Sequence, residues 1–152
     1  MQDKKELAVA ALRSGTVIDH IPCSALFQAV HLLGLENFSG AVTVGNNLPS
    51  KHLGVKGIIK VADTEFSPEV LGRIAIIAPG AVVNVIRDYE VVGKHRVELP
   101  DQVVNLVECT NPKCVTRHQP MPTRFNVVRR EPVTLCCHYC EHEYSGDKIV
   151  LK

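Results

Sequence analysis

The sequence has no apolar run approaching a membrane span, no repetitive or low-complexity tract and no excess of either charge sign. The first absence excludes a membrane-spanning helix, which needs about 20 consecutive apolar residues. The last weighs against a nucleic-acid-binding protein, whose footprint is a clustered positive face. Residues 1–98 carry ten Lys and Arg against ten Asp and Glu, and residues 99–152 carry seven against six; only Arg124, Arg129 and Arg130 approach a basic cluster. Catalytic signatures are missing as well. There is no Gly-x-Gly-x-x-Gly or Gly-x-x-x-x-Gly-Lys-Ser/Thr loop, no His-Glu-x-x-His and no serine in a strained nucleophile turn. Cys23, beside Pro22 at a helix start, reads as a buried or incidental thiol. The opening segment 1–6 does not resemble a signal peptide, so a cytoplasmic location with reduced thiols is expected.

What the chain does have is cysteine in pairs. Cys109-x4-Cys114 frames a proline-containing turn, and Cys137-x2-Cys140 follows about twenty residues later. Two short cysteine turns brought together by a hairpin supply four soft, tetrahedrally placed ligands, the donor set of a structural zinc site with no open position for substrate. Disulfides are the competing reading, and they belong to oxidising compartments. Cys136 lies outside the Cys-x-x-Cys turn and reads as a packed strand residue, while His118, His138 and His142 read as solvated surface side chains.

The elements fall into two regions. The run through Leu7, Val9 and Ala11 suits a short strand, or equally a helix, and the β-branched run 16–21 before Pro22 is a strand. Ser24 can cap a helix with Leu26, Ala29, Val30 and Leu33 on its apolar stripe, His31 near that stripe and Gly34 at its end. Residues 41–44 form a strand, 45–50 a loop and 51–57 an irregular stretch, followed by a strand at 57–61. Ser67-Pro68-Glu69 starts a second helix that Pro79-Gly80 stops, and strands 82–87 and 89–97 meet near Asp88. Without the first run the order is β-α-β-β-α-β, so the expected class is α+β: a ferredoxin-like antiparallel sheet with two helices, followed by a small all-β zinc-binding domain. The boundary is placed at Leu99-Pro100-Asp101, giving domains 1–98 and 99–152. The second buries too little apolar surface to fold comfortably without metal.

In the first domain Asp19 and His20 share one strand, Lys60 lies on another with Lys56 just ahead of it, and Lys94 lies on a third. A sheet can bring these groups together, and converging ammonium groups beside a carboxylate suit a nucleotide: cations for phosphates, Asp19 for a ribose hydroxyl or an exocyclic amine. Solvated charges on an open sheet face are the plainer alternative.

Four segments carry a resemblance. Residues 15–22 (GTVIDHIP), 47–50 (NLPS) and 89–94 (YEVVGK), together with the Cys-x4-Cys and Cys-x2-Cys pair, resemble the regulatory chain of bacterial aspartate carbamoyltransferase across essentially the whole chain. The resemblance implies a non-catalytic subunit of pyrimidine biosynthesis. Its first domain would bind CTP as inhibitor and ATP as activator, with UTP acting alongside CTP, and its zinc domain would contact the catalytic chain. Regulatory chains would pair as homodimers, without nucleic acid or membrane as partners. The implied nucleotide site comprises Val9, Leu12, Asp19, His20, Lys56, Lys60, Asn84, Tyr89, Val91 and Lys94, with Lys94 at the phosphates and Asn47 and Leu48 beside Lys56 at a second-nucleotide edge. The implied zinc ligands are Cys109, Cys114, Cys137 and Cys140. Ala10 stands where the family carries a glutamate beside the base, which leaves effector discrimination open. A zinc-ribbon nucleic-acid or protein-interaction module and an enzyme are the alternatives, and no residues support the enzyme.

Overall fold

The computed structural model describes residues 11–51 and 53–152, in two compact units divided between Glu98 and Leu99. The run at 7–11 therefore lies almost wholly outside the described residues, as do Val9 and Ala10. No helix among the described residues is long and apolar enough to cross a membrane.

The first unit runs β1 (Gly15–Ile21), α1 (Leu26–Leu32), β2 (Val42–Ser50), β3 (Gly54–Ala62), α2 (Pro68–Ile77), β4 (Val82–Arg87) and β5 (Glu90–Arg96). The strands form one antiparallel sheet in the order β2-β3-β1-β4-β5. This is the expected ferredoxin-like arrangement, with β5 added at the edge by a hairpin. Side chains alternate across a strand, so Ile18, Ile59 and Val83, which stand opposite one another, share a face. All three are buried, together with Leu26 and Ala29 of α1 and Ile74 and Ala75 of α2. At Gly57 a Cβ would stand 2.9 Å from Leu26 Cδ1, so glycine on β3 is what allows α1 to pack this closely.

Local chemistry explains the ends of the elements. Ser67 Oγ accepts from the Val70 N–H at 3.3 Å, and Pro68 occupies the first turn of α2, as expected. The expected Ser24 cap does not form. Cys23–Ala25 is a 3-10 turn in which the Ala25 N–H reaches Pro22 O at 2.8 Å and the Leu26 N–H reaches Cys23 O, so the tightened backbone satisfies the donor that the Ser24 side chain would otherwise cap. Gly34, at φ 69°, ends α1 in the left-handed conformation glycine adopts without strain. His31 lies off the buried stripe, 76% exposed, with Nδ1 2.6 Å from Glu36 Oε1.

The largest departure is at 45–57, expected as loop and irregular chain and found as the continuation of β2 and β3. Leu48, Pro49 and Ser50 pair with Lys56, Val55 and Gly54. Two features reconcile this with the composition. β2 is an edge strand, where proline's missing N–H costs no ladder bond, and a bulge between Gly45 and Leu48 absorbs Asn47 at φ 58°.

The second unit contains β6 (Gln102–Val104), β7 (Val107–Glu108), β8 (Arg124–Arg130), β9 (Val133–Cys137), β10 (Glu143–Ser145) and β11 (Val150–Leu151). A four-stranded sheet ordered β10-β9-β8-β6 is accompanied by the β11-β7 pair. Phe125, Leu135, Val103 and Val107 are fully buried. The Phe125 ring meets Tyr144 edge-on at a centroid separation of 6.0 Å.

Candidate metal centre and sheet-face site

Cys137 ends β9, and its N–H is held by His142 O at 2.9 Å while its carbonyl accepts from the Glu141 N–H, also at 2.9 Å. Glu141 takes φ 64° to close that knuckle. The other pair is shaped by the 111–114 turn, in which the Cys114 N–H reaches Asn111 O at 3.0 Å. The four Sγ atoms of Cys109, Cys114, Cys137 and Cys140 all lie within 4.8 Å of one another. Two of the separations are 3.6 Å (Cys109 to Cys140) and 3.7 Å (Cys114 to Cys137). A tetrahedron with metal–sulfur arms of about 2.3 Å has edges of about 3.8 Å. The donor set therefore fits a thiophilic tetrahedral metal, and four protein ligands leave it no open position.

The thiols are unequal without metal. Burial pushes Cys137 up to about 12 and also raises Cys109, whose Sγ lies 3.4 Å from Tyr144 Oη. Burial acts on Cys140 in the same direction, but hydrogen bonds from the Asn111 side chain and the His142 backbone, with those to Cys109 and Cys137, outweigh it and bring Cys140 down to about 6. Metal uptake must therefore displace protons from the buried thiols. Cys136 is half-buried one residue from Cys137, on the opposite face of the strand, and takes no part in the cluster. His118 turns away to Pro112 O at 2.7 Å, and neither His138 nor His142 joins the donor set.

The second arrangement lies on the sheet face that the helices leave open. The register sets Thr43, Lys60, Val17, Asn84 and Lys94 directly opposite one another across all five strands. Val17 alternates with buried Ile18, so the whole row points away from the helices. In the next row Asp19 stands opposite Val82, and Val82 opposite Arg96. On the other side Gly15, Ile86 and Val91 are aligned. Lys56 shares the face with Lys60, and Leu48 stands directly across from Lys56.

A bulge in β1 places His20 at φ 60° and breaks the pairing between Ile18 and Ile21. Its effect is to gather polar groups at Asp19. The Asp19 carboxylate accepts from the His20 N–H at 2.7 Å and from Lys56 Nζ at 2.8 Å. Burial lowers the Lys60 ammonium below the usual lysine range, and the charge of Asp19 opposes that shift. A partly desolvated cation beside a carboxylate, on the sheet face that the helices leave uncovered, suits an anionic ligand.

Residues 7–98 match the family described as aspartate carbamoyltransferase regulatory chain, allosteric domain, and residues 101–150 match its metal binding domain. The chain belongs to the aspartate carbamoyltransferase regulatory chain family. It is 51% identical over 151 residues to the regulatory chain of Parabacteroides distasonis, covering 99% of this chain and 98% of that one. Against the regulatory chain of Porphyromonas gingivalis the identity is 52% over 148 residues, covering 97% and 98%. Against that of Thermococcus gammatolerans it is 44% over 146 residues, covering 95% and 97%.

As a member of the regulatory chain family, the protein is a non-catalytic subunit with an allosteric and a metal-binding domain. Of the residues singled out from the sequence, Asp19, Lys56, Lys60, Asn84, Val91 and Lys94 share the open face, and His20 sits at its bulge. Tyr89 lies in the two-residue turn between β4 and β5 at φ 67°, with its N–H held by Arg13 O at 2.8 Å. That contact brings the turn to the segment carrying Leu12. Val17 was not singled out, yet it stands between Lys60 and Asn84. Only register reveals it, because in the sequence it is one apolar strand residue among several.

Proposed function

We propose that the first unit binds nucleoside triphosphates on the open sheet face, with CTP, ATP and UTP as its effectors. The observation that carries this reading is the single row Lys60–Val17–Asn84–Lys94, flanked by Asp19 and Lys56. Three strand spacings separate Lys60 from Lys94, about 14 Å. That span suits a ligand with a sugar and base at one end and a charged chain at the other. Lys94 holds the phosphates, Lys60 and Asp19 face the ribose and base, the Tyr89 turn with Leu12 borders the base, and Asn84 and Val91 line the pocket. Asn47, Leu48 and Lys56 form the edge of a second nucleotide.

Zinc is the metal that suits four thiolates in a closed tetrahedron, and its role here is structural. In a reducing cytoplasm the thiols stay available for it. The metal-binding unit docks on the catalytic chain of aspartate carbamoyltransferase, and regulatory chains pair as homodimers. The output is then a coupling free energy between the nucleotide face and a distant active site, typically about 1–3 kcal/mol. Titration calorimetry of CTP and ATP into the zinc-loaded chain, each repeated with the other present, tests the reading. Mutually exclusive binding is expected. Independent binding of the two, or binding of neither by the chain alone and in complex with the catalytic subunit, overturns it.

A further inference from the structure

Two hydroxyl groups reach the cysteine cluster in addition to its four thiols. Tyr144 Oη lies 3.4 Å from Cys109 Sγ, and Thr116 Oγ1 lies 3.1 Å from Cys114 Sγ. On β10 Tyr144 stands opposite Leu135 of β9, which shares a strand face with Cys137, so the phenol is carried inward beside the cluster. It is buried, with its ring edge-on to Phe125. The Thr110 side chain donates to its oxygen, which leaves the hydroxyl's own hydrogen for sulfur. Thr116 sits in the 3-10 turn Val115–Arg117. There the Arg117 N–H reaches Cys114 O at 3.0 Å and folds the chain back, so that a side chain two residues on returns to the Cys114 sulfur.

We infer that Tyr144 and Thr116 are positioning residues of the metal centre, whose hydroxyls donate to the sulfurs of Cys109 and Cys114 and hold those thiolates for the ion. This rests on the zinc reading of the cluster. The direction of the bonds follows from protonation. A free thiol can donate or accept, but a sulfur that ligates metal has given up its proton and can only accept, so each hydroxyl must donate. The need for donors follows from charge. Four thiolates around a divalent ion leave about two net negative charges, and three of the four cysteines are buried. Buried charge is costly unless hydrogen bonds offset it. The second pair is served by other groups: Cys137 by the backbone of Tyr139 and Cys140, and Cys140 by the Asn111 side chain and the His142 backbone. In the first pair the Asn111 backbone reaches Cys109, and the two hydroxyls complete the set.

The test is the zinc affinity of the full chain, by competition with a chromophoric chelator, together with its cobalt(II) absorption spectrum, for the parent, Tyr144→Phe, Thr116→Val and Thr116→Ser. Tyr144→Phe keeps the ring against Phe125 and Thr116→Val keeps the side-chain shape, so each removes little but a hydroxyl. Each should bind zinc about 10- to 100-fold more weakly. The sulfur-to-cobalt charge-transfer bands should move to longer wavelength, because a thiolate that loses a donor gives up electron density more readily. The ligand-field bands should keep the form of a four-sulfur tetrahedron. Thr116→Ser retains the hydroxyl and should match the parent. Unchanged zinc affinity, a loss without the charge-transfer shift, or a loss in Thr116→Ser equal to that in Thr116→Val removes the residue concerned from the metal centre and leaves the four cysteines standing. A parent that takes up neither metal overturns the zinc reading and this assignment together.

Discussion

In the unit before Leu99, two helices cover one face of a five-stranded sheet, and aliphatic residues such as Ile18, Ile59, Val61 and Ile74 are fully buried there. In the unit from Leu99 onward, no helix longer than a 3-10 turn forms, and three of the four clustered cysteines are among the buried residues. The difference follows from size. A unit of about fifty residues buries too small a fraction of its surface to offset its chain entropy, and a metal cross-link supplies what the core lacks. The larger unit needs no such device. One of its sheet faces satisfies folding, and the other is free to carry charge.

Removing metal should separate the two units most sharply. Structural zinc contributes on the order of 10–16 kcal/mol, so chelation, or Cys114→Ser, should unfold residues 99–152 and leave the first unit folded. Protease digestion and circular dichroism read this directly; a second unit that stays protected without metal would mean the thiols are not what holds it. The loss should deepen as pH falls, because protons compete with metal for the buried thiols of Cys109 and Cys137.

Core truncation sharpens the comparison at smaller scale. Phe125→Ala should cost the metal-loaded second unit about 3–5 kcal/mol, and Ile59→Ala the first unit about 2–5 kcal/mol. Denaturant melts followed by probes in each unit should show each change confined to its own unit. Either substitution lowering both transitions equally would mean that the two fold as one cooperative body.

Charge on the open face should alter binding before stability. Lys94→Ala should weaken CTP and ATP alike, by about 1.5–3 kcal/mol, with the melting temperature unchanged. Equal binding by variant and parent takes Lys94 out of the site.

The smallest effect concerns Lys60. Burial lowers its pKa, so the unfolded chain holds that proton more tightly and stability rises with pH through the alkaline window below the ordinary lysine value. Lys60→Gln should flatten this rise in a pH series of melts. An unaltered slope would place the desolvated cation elsewhere.

Most of the fold was legible in local chemistry: the Ser67-Pro68 helix start, the glycine at 34, and the β-branched run after Gly15. The hairpin 42–62 was not, because Pro49 and the asparagines at 46–47 signal loop in isolation. Only an edge position and a bulge make them acceptable in a strand. Ser24 misled for the converse reason, since the Cys23 carbonyl took the Leu26 N–H that a cap would have served.

The four-cysteine cluster could be read directly because spacing within two short turns is itself what brings the thiols together. The sheet-face residues could only be nominated. Asp19, Lys60, Asn84 and Lys94 are separated by tens of residues, and their alignment exists only once antiparallel register is set across four strands. The sequence by itself determined the class of fold, the four-cysteine donor set and the family, because these depend on local pattern and on residue identity. The tertiary structure decided which cations share a face and that Asp19 meets Lys56 there, because strand register and the bulge at His20 are long-range properties that no local window contains.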